Sequence, residues 1–197
     1  MKSIFLTFFL SISLISCAQE TVKGNGKTVN NTRTVESKFH SVTSEGSFEI
    51  FIEEGTQDGK IYLEGDSNIL EKVKVEVKDG VLKIGFQKGL SIVLNRKVKV
   101  RFKGQNLKGF SLAGSGIIKT EGIHKSEKIT FAISGSGDID AKVNAKEVST
   151  AISGSGDIIL KGNTDKLSIG TSGSGKVKAF GLNAKNATVS VTGSGRD

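Results

Sequence analysis

Four groups of residues in this chain could carry chemistry. They are Cys17, the histidines His40 and His124, a repeated Gly-Ser-Gly phrase followed twice by aspartate, and the alternating cations Lys97, Lys99, Arg101 and Lys103. A glycine-rich repeat with aspartate suggests calcium, as in β-rolls. Calcium takes about six to eight oxygens, yet the position after the triplet is a carboxylate only at Asp138 and Asp157 and becomes Lys176 and Arg196 later. That column reads as a charge ladder on a corner, so no metal or cofactor is expected. Phosphate cradling needs glycines at a strand-to-helix junction, and no helical pattern follows any triplet. Polysaccharide cleavage needs grouped acids, or a base with cationic partners. Here the acids are scattered singly or alternate with lysine, both histidines fall in expected loops, and no nucleophile elbow is present. The chain reads as a non-enzyme with no catalytic residue.

Binding remains. The net charge is +8, and the four cations alternate with Val98, Val100 and Phe102, which sets them on one face of a strand. They form either a patch for acidic glycans, lipopolysaccharide or a membrane surface, or a guard on an exposed strand edge. The one aromatic residue between the cations, Phe102, alternates onto the opposite face of the strand, so no stacking platform accompanies them and nucleic acid is not an expected partner. A second surface is poor in charge: Thr130, Ser134, Ser149, Ser153, Ser168, Ser172, Thr188, Ser190 and Thr192, with alanine and glycine between them, should make a flat hydroxyl-rich face suited to glycans or a protein, or simply solvated.

Cys17 is the chain's one cysteine, which excludes an internal disulfide framework. Lys2 precedes an apolar run from Ile4 to Ile15, too short to cross a bilayer of about 30 Å as a helix but fitting a secretory leader. The run ends in Leu14-Ile15-Ser16-Cys17, which resembles a bacterial lipobox. Residues 1–16 are therefore expected to be a lipoprotein signal peptide, with Cys17 the lipidated N-terminus and residues 17–31 a polar tether. More than one acyl chain on the cysteine gives stable anchoring to a membrane. By resemblance to the sorting rule known from enteric bacteria, Ala18 in place of aspartate favours the outer membrane, its periplasmic or surface face left open.

The elements that must carry these residues follow from one period. Gly-Ser-Gly begins at Gly114, Gly135, Gly154, Gly173 and Gly193, at intervals of 21, 19, 19 and 20 residues. Ahead of four of these triplets lie Ile129, Phe131, Ile133; Val148, Thr150, Ile152; Leu167, Ile169, Thr171; and Ala187, Val189, Val191. They alternate with small polar residues, the mark of a strand with one buried side. The apolar register resumes at Ile118, Ile139, Ile158 and Val177. A unit of this length cannot bury its own face, whereas stacked copies can, and glycine suits the tight corners. The expected fold is all-β, a β-solenoid of about 20-residue coils over residues 107–197. Disorder is not expected with 36% hydrophobic residues and 25 glycines, and the absence of proline suits uninterrupted ladders.

Residues 32–106 lack the period and are expected to be an irregular β-layer. Strands are expected around Thr34–Glu36, Phe48–Ile52 and Ile61–Glu64, and one polar-capped helical turn at Asp66–Glu71. Val73, Val75 and Val77 lead through Asp79-Gly80 into Val81, Leu82, Ile84 and Phe86, a strong hairpin signal. A second strand pair, Ser91–Leu94 and Val98–Phe102, is expected to turn at Asn95-Arg96.

Gly46-Ser47-Phe48-Glu49-Ile50, the segment Val75–Ile84 and the recurring Ser-Gly-Ser-Gly-Asp-Ile, in that order, resemble the "putative auto-transporter adhesin, head GIN domain" family. The likeness spans roughly residues 33–195, and Asp-Ile follows the triplet only at Asp138-Ile139 and Asp157-Ile158. The resemblance implies a β-helical domain in a lipoprotein or secreted protein of Bacteroidetes-like bacteria and a role in adhesion, and brings no functional residues with it; because the family usually continues into further strand after such a triplet, it also implies a C-terminus one coil short. The resulting expectation is a lipid-anchored cell-envelope module that binds glycans or envelope or host proteins. The alternatives are a structural or regulatory envelope protein contacting other proteins, and a β-helix carbohydrate enzyme.

Overall fold

The computed structural model describes residues 20–194, so the expected signal peptide and Cys17 lie outside the described residues. The protein is all-β with one helical turn. In chain order the elements are β1 (Glu20–Lys23), β2 (Thr28–Thr34), β3 (Ser41–Glu45), β4 (Phe48–Glu53), β5 (Lys60–Asp66), α1 (Ser67–Leu70), β6 (Val73–Lys78), β7 (Val81–Phe86), β8 (Leu90–Val93), β9 (Val98–Lys103), β10 (Gly109–Gly114), β11 (Ile117–Gly135), β12 (Asp138–Gly154), β13 (Asp157–Gly173) and β14 (Lys176–Gly193).

The repeats pair in parallel and in register. Gly114 lies opposite Gly135, Gly135 opposite Gly154, Gly154 opposite Gly173, and Gly173 opposite Gly193. Identical columns then stack throughout. Val100, Ile50, Ile118, Ile139, Ile158 and Val177 form one fully covered apolar column across six strands. In another, the rings of Phe110 and Phe131 stack 5.0 Å apart. Within β11 the buried side chains run Ile118, Thr120, His124, then Ile129, Phe131, Ile133. The parity switches from even to odd, so each long strand bends between two inward rows, with a second corner at the triplet.

Backbone geometry explains the triplets. Gly114, Gly135, Gly154, Gly173 and Gly193 all have φ between 114° and 131°, a region that a Cβ forbids. At Gly154 an added Cβ would also run into the carbonyl oxygen of Gly135 one strand away.

The unequal intervals are bulges. The first interval carries two extra residues between Lys119 and Ile123, against Asp140 and Lys142 of β12. The last carries one extra residue between Lys178 and Gly181, against Ile159 and Lys161, and there Phe180 is 100% exposed. At the far corner Asn144, Asn163 and Asn183 stack in one column, and the Asn183 amide donates to Oδ1 of Asn163 at 3.2 Å.

The first half is less irregular than its sequence suggests. β3 pairs in parallel with β10, and β4 with β11; Gly46 between them has φ 126° and donates its N–H to the Ala113 carbonyl at 2.7 Å. Gly46 is thus a sixth corner, 68 residues before Gly114 and therefore invisible to a 20-residue period. β7 and β9 add one further parallel layer, outside β3 and β4. Antiparallel β6, β5 and β2 then close that end, where α1 buries Ile69 and Leu70. The Asp79-Gly80 hairpin joins β6 to β7 with both turn residues at positive φ.

Four expectations need correction. Residues 20–31 are not a free tether: β1 pairs with β8, β2 pairs with β5, and Val22 and Val29 pack against the core. The segments at Ser91–Leu94 and Val98–Phe102 are not a hairpin, because β8 joins β1 in a separate two-stranded sheet while β9 lies between β4 and β5. Asp66 stands at the start of α1 but caps nothing with its side chain; its buried carboxylate accepts from the Asn95 amide at 3.3 Å. The inward row of β14 is not fully covered: Val189 is 53% exposed, since among the described residues no strand pairs with the outer side of β14.

Candidate functional site

His124 is not in a loop. It sits in β11 at 1% exposure, its Nδ1 accepts the Leu107 N–H at 3.2 Å, and its ring meets Phe110 edge-to-face at 5.1 Å. Burial disfavours the imidazolium and pulls the pKa from 6.5 to about 4. With Nδ1 accepting, the proton sits on Nε2, which is buried without a hydrogen-bond partner. This is a neutral core residue, unreachable by substrate. His40 is exposed and its Nδ1 lies 3.0 Å from the Ser41 hydroxyl.

The aspartate column is committed within the fold. Oδ1 of Asp138 accepts the Asp157 backbone N–H at 3.0 Å, and Oδ2 of Asp157 pairs with Lys178 at 2.7 Å. That hydrogen bond and the aspartate charge raise the Lys178 pKa. Further pairs tie neighbouring layers at the opposite corner, Lys146 to Glu127 at 2.6 Å and Lys128 to Glu147 at 3.1 Å. Hydrogen bonds from those lysines lower both glutamate pKa values. Among the described residues no three His, Cys, Asp or Glu side chains gather as a metal site.

The cations of β9 are not on a sheet edge, since β9 lies between β4 and β5, and three of them have close partners. Lys99 pairs with Glu64 of β5 at 3.2 Å, Lys103 with Asp58 at 3.6 Å, and Arg101 lies over the Phe51 ring, 4.6 Å from its centroid. Lys97 lies just before the strand and is exposed. Alternation placed Lys99, Arg101 and Lys103 on one outward face; their cross-strand partners come from pairings that no short-range pattern announces.

The hydroxyl-rich residues do come together. Thr130, Ser149, Ser168 and Thr188 form one row; Ser134, Ser153, Ser172 and Thr192 form a second; Ser190 continues a central row of Ser111, Ala132, Ala151 and Gly170. All nine expected residues are exposed or half-buried. The second and central rows line a shallow depression of about 420 Å³ without a charged side chain in its lining. Such a face offers hydroxyls as donors and acceptors, with methyl groups and bare backbone between them.

A family model described as "Putative auto-transporter adhesin, head GIN domain" matches residues 38–196. The chain belongs to that family. Similar solved structures include one described as a "putative adhesin" from Parabacteroides distasonis, at 24% identity, TM-score 0.66, covering 89% of this chain and 83% of that one. Another "putative adhesin", from Parabacteroides merdae, has 22% identity and TM-score 0.68, covering 89% and 82%. A third, described as a "putative lipid binding protein" from Parabacteroides distasonis, has 20% identity and TM-score 0.71, covering 88% and 83%. These likenesses concern the fold. A comparison with curated proteins gives no match. Family and neighbours alike are described in terms of adhesion or lipid binding, not of enzymes, and an adhesin description points to the cell surface or envelope.

Proposed function

We propose that this head GIN domain is a β-solenoid held at the outer membrane by acyl chains on Cys17, and that it binds glycans or surface proteins without catalysing a reaction. The observation that carries the binding reading is the face of three in-register rows, free of charge and rich in hydroxyls, presented by a rigid ladder. A face built from small side chains loses little conformational entropy when covered. The buried, neutral His124 and the internally paired aspartates support a role outside catalysis.

Adhesion is tested by placing charge on the face. Ser153→Lys and Ser172→Lys together should abolish binding of the purified chain to a glycan array or to labelled cells, while Lys185→Ala, away from the face, should not. Equal binding by all three proteins refutes the role of this face. Anchoring is tested separately: Cys17→Ala should release the protein from the membrane fraction, and retention there refutes lipidation at Cys17.

A further inference from the structure

A different sheet face carries a second, chemically sharper arrangement. In β5, Ile61 and Leu63 are buried, so Tyr62 and Glu64 project outward; in β9, Val98, Val100 and Phe102 are buried, so Lys99 and Arg101 do the same. Register sets these beside two residues of β2. Asn30, Glu64 and Lys99 form one row across the three strands, and Thr32, Tyr62 and Arg101 form the next. The six residues line a depression of about 270 Å³. Tyr62, the single tyrosine of the chain, is 45% exposed at its centre.

The polar groups constrain what fits. Arg101 only donates. Its guanidinium carbon lies 4.6 Å from the centroid of the Phe51 ring, and among the described residues it forms no ion pair. A ligand must therefore bring an acceptor there, best a carboxylate, which guanidinium binds through two parallel hydrogen bonds. Glu64 only accepts. One of its oxygens is taken by Lys99 at 3.2 Å, and the other can accept from a ligand donor. A phosphate carries more negative charge into the neighbourhood of Glu64, whereas a sugar hydroxyl is a neutral donor to it. Asn30 and Thr32 both donate and accept, which suits further hydroxyls. Tyr62 supplies an exposed ring against which an apolar sugar face can lie. Donor, acceptor and ring lie on neighbouring strands about 4.8 Å apart, so two strand spacings match the width of one or two sugar rings.

We propose that this depression is a binding site for a hexuronate-containing oligosaccharide, its carboxylate on Arg101, its ring on Tyr62 and its hydroxyls on Glu64, Asn30 and Thr32. The site is independent of the hydroxyl-rich face, and each can fail without the other, because the variants below leave Ser153 and Ser172 untouched.

Titration calorimetry of the purified full chain tests it with two probes, a galacturonate trimer and a hyaluronan tetramer, each beside its carboxyl-reduced counterpart. At least one acidic probe should bind, and carboxyl reduction should weaken it at least about tenfold. Tyr62→Ala and Arg101→Gln should each weaken binding by a similar factor, Tyr62→Phe should retain it, and Lys103→Gln, the same charge change two residues along the strand, should leave it within about twofold. No binding of either acidic probe at millimolar concentration overturns the proposal. So does equal binding of the reduced probes, or an equal loss in Lys103→Gln and Arg101→Gln, which would mark diffuse charge attraction. If phosphatidylglycerol vesicles bind and the sugars do not, the surface is a membrane contact and the proposal also fails. Should Tyr62→Ala not fold, the Arg101→Gln and Lys103→Gln comparison with the reduced probes decides alone.

Discussion

Lowering the pH should loosen this protein through His124 before its carboxylates protonate. The folded imidazole has a pKa of about 4 because it is buried, while in the unfolded chain it returns to about 6.5. As pH falls below 6.5 the unfolded state takes up the proton first, so stability drops until about pH 4, where the folded state is protonated as well. The separation of about 2.5 pH units, at about 1.4 kcal/mol each, removes about 3 kcal/mol across that window. Protonation would also turn Nδ1 into a donor facing the Leu107 N–H, which it now accepts. The carboxylates follow lower down. Asp58, lowered chiefly by the Lys60 N–H, and Glu127 and Glu147, lowered by lysine hydrogen bonds, contribute stability that is lost only as pH falls below their ordinary values of 3.8 and 4.5. The assay is urea unfolding at pH 7.5, 6.5, 5.5 and 4.5 for the wild type and for His124→Asn, whose Oδ1 can keep the Leu107 hydrogen bond without titrating. The asparagine variant should start less stable, because it leaves a void, but between pH 7.5 and 4.5 it should lose about 2 to 3 kcal/mol less than the wild type. Parallel loss in the two proteins, or an imidazole that titrates near 6.5 by NMR in the folded state, refutes the reasoning.

Other expectations concern the stack itself. Gly154→Ala should cost about 3 kcal/mol or more by chemical unfolding, since the residue has φ 131° and its new Cβ meets the Gly135 carbonyl, whereas Ser155→Ala, exposed on the same corner, should stay within about 0.5 kcal/mol; equal effects would sink the corner argument. Asn163→Ala should cost about 1 kcal/mol by removing the acceptor of the Asn183 amide, and an unchanged unfolding midpoint would show that the column adds nothing. Millimolar calcium should leave the melting temperature unchanged, because Asp138 and Asp157 already serve a backbone N–H and Lys178; a rise of several degrees would mean that a cation displaces those partners.

The part of the fold legible in the sequence is the part that repeats. A triplet needing positive φ, and rows needing burial, impose the same residue types at the same offset in every layer, so Gly114 to Gly193 and Ile118 to Val177 announce their own stacking. The first half obeys the same physics without the signal. Gly46 turns the same corner, but the elements from β5 to β9 intervene before the chain makes the next such corner at Gly114. His124 was hidden for a related reason. It stands 11 residues ahead of Gly135, as its partner Val143 stands 11 ahead of Gly154, but the alternation that marks a buried row begins only six residues ahead of each triplet, and the bulge between Lys119 and Ile123 breaks the count from the triplet before. The candidate sites divide along the same line. The hydroxyl face is a product of the period and could be named residue by residue. The grid around Tyr62 arises from β2, β5 and β9, drawn from three distant stretches of chain and joined by antiparallel pairing. Alternation within β9 showed that Arg101 faces out, but only the sheet order puts Tyr62 on one side of it and Phe51 on the other. A periodic surface is therefore bound to be uniform along the stack, and the groups able to discriminate one ligand from another sit where the chain leaves its repeat.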